Sequence, residues 1–124
     1  MLKLTPKTNT INPVYDYSNL DIFTKGDLLS IEKYYNKYSF INTFYLCELA
    51  KEGHLDCLRM LYTKGIDISN REIFDAAFYS NKSDDNVVKY LESFGHKINE
   101  NNIKCAILAD NKSIIKYLTL KSVN

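Results

Sequence analysis

The side chains of this 124-residue chain most able to do chemistry are Cys47, His54, Cys57, His96 and Cys105. Thiolates and imidazoles suit zinc, and a thiolate becomes a catalytic nucleophile when an imidazole and a third, orienting group converge on it. The spacing favours neither. No CxxC pair occurs, and successive cysteines lie 10 and 48 residues apart. His54 comes three residues before Cys57, across a turn. Cys57 takes an apolar helix position that Val87 and Ile114 fill further along, while Cys47 stands on a preceding helix at the place of Phe74. Unpaired cysteine packs as a small hydrophobe, so these read as reduced, structural thiols, with no metal site, no cofactor and no catalytic residue. The sequence also lacks a phosphate loop, a paired-carboxylate motif and a dinucleotide fingerprint. A non-enzyme is expected.

The elements that would position a site follow from composition and periodicity. Sixteen Lys and Arg against fifteen Asp and Glu leave a formal charge of +1, which gives no global field toward nucleic acid or an anionic membrane surface. Hydrophobic residues make up 45% and charged residues 25%, the balance of a folded domain, and the length suffices for one domain. No apolar run approaches the roughly 20 residues of a membrane helix, and Met1 to Lys7 lack the apolar core of a signal peptide. An intracellular protein that engages neither membrane nor nucleic acid is expected.

An internal repeat organises the chain. Gly26-Asp27-Leu28-Leu29-Ser30-Ile31 overlays Gly53-His54-Leu55-Asp56-Cys57-Leu58 at a shift of 27. The pattern returns at Asn86 to Leu91, followed by Gly95, and again at Ser113 to Leu118. Upstream of each copy lies another helical run: Ser18 to Lys25, Tyr45 to Glu52, Glu72 to Ser80 and Asn102 to Asp110. Apolar residues recur at helical spacing, as in Leu55, Leu58, Leu61 and Tyr62, and not in strict alternation. Ser18 with Asp21, and Asn70 or Arg71 before Glu72, supply helix starts, while Gly65 and Gly95 supply stops. The predicted fold is therefore all-α, a helix-turn-helix unit repeated over about 15–42, 43–70, 71–99 and 100–124. Residues 1–14, with Pro6 and Pro13, form an extended lead-in.

From Leu46 to Asp67, the small residue of the first helix, the Gly53-His54-Leu55 turn and the closing Gly65-x-Asp67 together resemble one ankyrin repeat. Through its Gly-His-Leu-x-Cys-Leu core the segment is most similar to the short, divergent ankyrin-like repeats of large DNA viruses of amoebae. The resemblance covers Ser18 to Asn124 and is strongest over residues 44–67. It implies a solenoid of about three to four helix pairs that holds another protein, as an adaptor or host-interaction factor would. Two features depart from the family. Phe44-Tyr45-Leu46-Cys47 stands where the family has Thr-Pro-Leu-His, and the period of 27 to 30 is shorter than the roughly 33 of ankyrin repeats. The shortfall lies between Gly65 and Arg71, so short loops should replace the β-hairpin fingers. Three residues added within Ser80 to Asp85 read as a polar surface loop.

The positions that line the family's concave side map here onto Asp21, Thr24 and Lys25; Glu48, Lys51 and Glu52; Asp75, Phe78 and Tyr79; and Cys105, Leu108 and Ala109. From these, the candidate partner-binding residues are Glu48, Lys51, Glu52, Asp75, Phe78, Tyr79 and Leu108, with Phe78 and Tyr79 as aromatic anchors. The competing reading packs both aromatics against the inserted loop. Tyr34, Tyr90 and Tyr117 fit packing between repeats, His54 fits a bond to a neighbouring repeat's backbone, and Lys33, Lys37, Lys112, Lys116 and Lys121 fit a solvated back. The last helix keeps Ile114, Ile115, Leu118 and Leu120 with no polar capping repeat after it. A homodimer or assembly contact through that C-terminal helix is the second expectation.

Overall fold

Asparagine and aspartate start most of the helices. The computed structural model describes residues 18–122, so the lead-in over 1–14 lies outside the described residues. Within them the chain is all-α, with eight helices and no strand: α1 (Leu20–Lys25), α2 (Leu28–Tyr38), α3 (Thr43–Glu52), α4 (Leu55–Thr63), α5 (Arg71–Ala76), α6 (Asp85–Glu92), α7 (Glu100–Leu108) and α8 (Lys112–Ser122). Side-chain oxygens of Asp27, Asn42, Asn70, Asp84, Asn99 and Asn111 accept first-turn backbone N–H groups of α2, α3, α5, α6, α7 and α8. Each satisfies a donor that the helix itself cannot. Helix α1 starts after Asn19, one residue later than Ser18, and the Asn19 side chain makes no capping bond. Residues 66–70 cross to α5 without a strand.

Each odd-numbered helix packs on the even-numbered helix that follows it. Across these pairs, α1, α3 and α5 lie side by side, α2 rests on α4, and α6 rests on α8. The core runs through all four pairs. Phe23 stacks on Tyr45 with ring centroids 4.4 Å apart. The equivalent positions Cys57, Val87 and Ile114 are each fully buried, as the sequence register requires.

One hydrogen bond recurs between each pair and the next. The Thr24 carbonyl accepts from Nε2–H of His54 (2.7 Å), the Lys51 carbonyl from the Ser80 hydroxyl, and the Ser80 carbonyl from Nδ2 of Asn111 (3.0 Å). Three donor types thus fill one role at sequence separations of 30, 29 and 31. Glycine makes room for this close approach. A Cβ on Gly26 would lie 2.4 Å from the His54 ring, and one on Gly53 would lie 2.5 Å from the Lys82 carbonyl oxygen; both residues are left-handed, with φ of +65° and +82°. The inserted loop is exposed at Asn81 and Lys82, as a surface loop should be, but it is also held against α3. Its Lys82–Ser83 backbone presses on Gly53, and Ser83 is buried.

Helix α5 also ends sooner than the predicted Ser80. After Ala76 the chain makes three successive i→i+3 bonds, from the N–H groups of Ala77, Phe78 and Tyr79 to the carbonyls of Phe74, Asp75 and Ala76. That winding is tighter than an α-helix, at about 120° per residue.

Candidate functional site

Four residues of α3 share one face at the i, i+3, i+4, i+7 spacing: Phe44, Cys47, Glu48 and Lys51. Glu72, Asp75, Ala76 and Tyr79 repeat that spacing from α5 into the tight turn. The two stripes face each other across a cleft of about 290 Å3. Tyr79 also borders a second cleft with Cys105, Leu108 and Ala109, and Phe44, Cys47 and Glu72 border a third that reaches Phe40. Because the lining residues are shared, the three form one groove from Phe40 to Leu108. Large apolar side chains are open along it: Phe40 is 53% exposed, Phe44 40%, Tyr79 54% and Leu108 86%.

Most charges in the groove are committed to partners within the protein. Glu48, nearly buried, accepts from the Thr24 hydroxyl (2.8 Å) and pairs with Lys51 (3.2 Å). Asp75 pairs with Arg71 (3.0 Å) and accepts from Nδ2 of Asn102 (2.9 Å). The exposed Glu72 carboxylate, by contrast, has no cation within ion-pair distance among the described residues. Its field reaches the groove wall. Burial, reinforced by Glu72 and Asp75, pushes the Cys47 thiol up to about 11. Burial and then the Asp75 charge raise the Tyr79 hydroxyl as well.

A thiol held that high is protonated near neutrality and is a poor nucleophile. Cys57 is pushed to about 12, by burial and then by Asp56, and directs its Sγ–H at the Gly26 carbonyl (3.4 Å). All three cysteines are free thiols. Among the described residues, no three His, Cys, Asp or Glu side chains converge as a metal site would need, and no helix is long and apolar enough to cross a membrane.

The structure gathers Glu48, Lys51, Asp75 and Tyr79 in the central cleft and places Leu108 at the far end. Two sequence candidates fall outside. Phe78 is fully buried, with its ring edge-on to Phe74 at 5.3 Å, so it is a core residue and not an exposed anchor. Phe78 lies four residues after the buried Phe74 and 28 after the buried Ala50, so the helical register itself carries it inward, and the tight turn keeps Tyr79 on the outer stripe. Glu52, 13% exposed at its side chain, faces Lys82 of the inserted loop at 3.9 Å. Cys47 corrects another expectation: Leu46, not Cys47, shares the buried position of Phe74, at a shift of 28, and Cys47 turns to the groove.

Sequence reasoning missed Phe40, Phe44, Cys47 and Glu72 as groove residues. The signal for three of them was present, since 44, 47, 48, 51 and 72, 75, 76, 79 are the same helical stripe moved by 28 residues. No protein-family model, curated protein or solved structure matches this chain.

Proposed function

We propose that the chain is a non-catalytic protein-binding module, a short solenoid of ankyrin-like helix pairs that holds a partner protein in the groove between α3 and α5. The observation that carries this reading is the row of open apolar side chains, Phe40, Phe44, Tyr79 and Leu108, set along one concave face whose charged groups, Glu72 apart, are paired within the protein. Apolar patches of this kind on a folded surface mark interaction sites. Cross-pair hydrogen bonds at near-constant separation support the solenoid, and the ankyrin-like stretch over residues 44–67 supports an adaptor or host-interaction role in a virus or intracellular organism. The floor is preformed, so a partner binds without ordering a loop first.

Two equally exposed tyrosines allow a controlled test. Tyr79 is 54% exposed in the groove and Tyr62 is 52% exposed on α4. Each is replaced in turn by a photo-crosslinking phenylalanine analogue in the native cell. The expected result is a discrete protein adduct from position 79 and none from position 62. Equal adducts from both positions, or an adduct from 62 alone, would contradict the reading.

A second reading has its own observation. Ile103 (40%) and Ile107 (59%) on α7 and Leu120 (56%) on α8 are also open, and they suit a structural or assembly role in which copies pack through the fourth pair. Sedimentation of the wild type and of Ile107→Ser across a concentration series separates the readings. A strict monomer in both removes the assembly role.

A further inference from the structure

We infer that the groove takes a basic, amphipathic protein segment, with Lys or Arg at Glu72 and apolar side chains along Phe44, Tyr79 and Leu108. The inference rests on the reading of the groove as a protein-docking surface and adds the chemistry of the partner. The central cleft is lined by three carboxylates, Glu48, Glu72 and Asp75, and by one ammonium, Lys51. Lys51 is taken by Glu48.

Arg71 does not neutralise Glu72. Its guanidinium is spent on Asp75, the Lys97 carbonyl and Oδ1 of Asn102. Among the described residues Glu72 is thus the groove charge without an ion-pair partner, and it borders both the central cleft and the cleft reaching Phe40. The Cys47 thiol and Tyr79 hydroxyl are raised first by burial and, beyond it, by the nearby Glu72 and Asp75 carboxylates.

Away from Glu72 the groove loses its charge. The cleft at the far end is lined by Tyr79, Cys105, Leu108 and Ala109. An occupant therefore needs a cation at the α5 N-terminal end and apolar side chains toward Leu108. A cation at Glu72 also lies near the exposed Phe44 ring, where aromatic and carboxylate attraction add. An acidic segment would bring a like charge to an unpaired carboxylate, which an interface is built to avoid.

The test is fluorescence anisotropy with two synthetic amphipathic helical peptides of identical leucine pattern, one carrying Lys at its polar positions and the other Glu. The Lys peptide should bind at least about tenfold more tightly than the Glu peptide and weaken as salt screens the pair. Glu72→Lys should weaken the Lys peptide by about three- to tenfold, with Glu72→Gln between wild type and Lys. Tyr79→Ala should weaken any peptide that binds, whereas Leu29→Ser on α2, at a side chain 61% exposed, should not. Circular dichroism of each variant verifies the fold.

Equal affinity for the two peptides, or preference for the Glu peptide, with loss in Tyr79→Ala would overturn the basic partner and leave the groove reading standing. Binding that ignores both Tyr79→Ala and Glu72→Lys, or no binding of either peptide, would overturn the docking groove itself.

Discussion

The second helix pair, α3 and α4 with the segment that follows, buries Tyr45, Leu46, Leu49, Ala50, Cys57, Leu58, Leu61 and Ile68; the fourth, α7 and α8, buries the apolar side chains of Ala106 and Ile114 alone among its described residues. Their attachment to neighbours differs accordingly. Helix α3 lies close against both α1 and α5, whereas α5 and α7 are not among the closely packed pairs. The α5–α7 seam is polar. Asn102, 1% exposed, gives Nδ2 to Asp75, takes Nη2 of Arg71 on its oxygen, and closes the start of α7 by exchanging bonds with Asn99. Asn111, equally buried, gives Nδ2 to the Ser80 and Ser83 carbonyls and caps α8.

A satisfied polar contact contributes on the order of 1 kcal/mol, and a fully buried large apolar side chain contributes about 1.5–3. The second pair is therefore the anchor and the fourth the compliant end. The groove has a rigid wall at Phe44 and a more adaptable one at Leu108.

The largest losses are expected in and against the anchor, where α5 packs along α3. Phe74→Ala on α5 should cost roughly 3–5 kcal/mol, because the ring is fully buried and its loss leaves a cavity; urea unfolding measures it. Gly53→Ala should cost about 3 kcal/mol, from left-handed strain together with a forced shift of the Lys82 carbonyl. Gly95→Ala is its control: φ is +100° but the space is open, so strain alone should cost about 1–2 kcal/mol.

At the compliant end, Asn102→Ala should cost about 1–3 kcal/mol by leaving Asp75 and Arg71 short of a partner. Its effect should fall on the exchange of α7 and α8 amides more than on α3. Tyr79→Ala sits at the bottom of the series. An exposed side chain should change stability by less than about 0.5 kcal/mol, so any loss of binding is local.

A pH series sharpens the same contrast. Cys47 and Cys57 are held above an ordinary thiol by burial first. As pH rises past about 9 the unfolded chain loses these protons while the native one keeps them, so the native state binds more protons and stability falls toward pH 11. Cys57→Ala should flatten that fall, measured as the urea midpoint at rising pH.

The helix pairs were legible because their apolar residues recur at helical spacing, and the burial of Cys57, Val87 and Ile114 follows from that register. The groove was legible in part. Tyr79, Leu108, Glu48, Lys51 and Asp75 line it, but Phe78 follows the inward register of Phe74, four residues earlier, and of Ala50, 28 residues earlier, which the mapping of the family's concave positions did not respect. The roles of Asn102 and Asn111 were hidden for a different reason. Asparagine in a polar stretch reads as surface, and its burial depends on partners 27 to 31 residues away, which local pattern does not encode. The pressed inserted loop has the same origin, since Gly53 and Lys82 meet only once the pairs stack.

Native-state hydrogen exchange under rising denaturant tests the division between anchor and compliant end most directly. Amides of α3 and α5 should exchange only through global unfolding, and those of α7 and α8 through an earlier, partial opening of lower free energy. Exchange of all eight helices at one common free energy, or longer protection in α7 than in α3, would contradict the account.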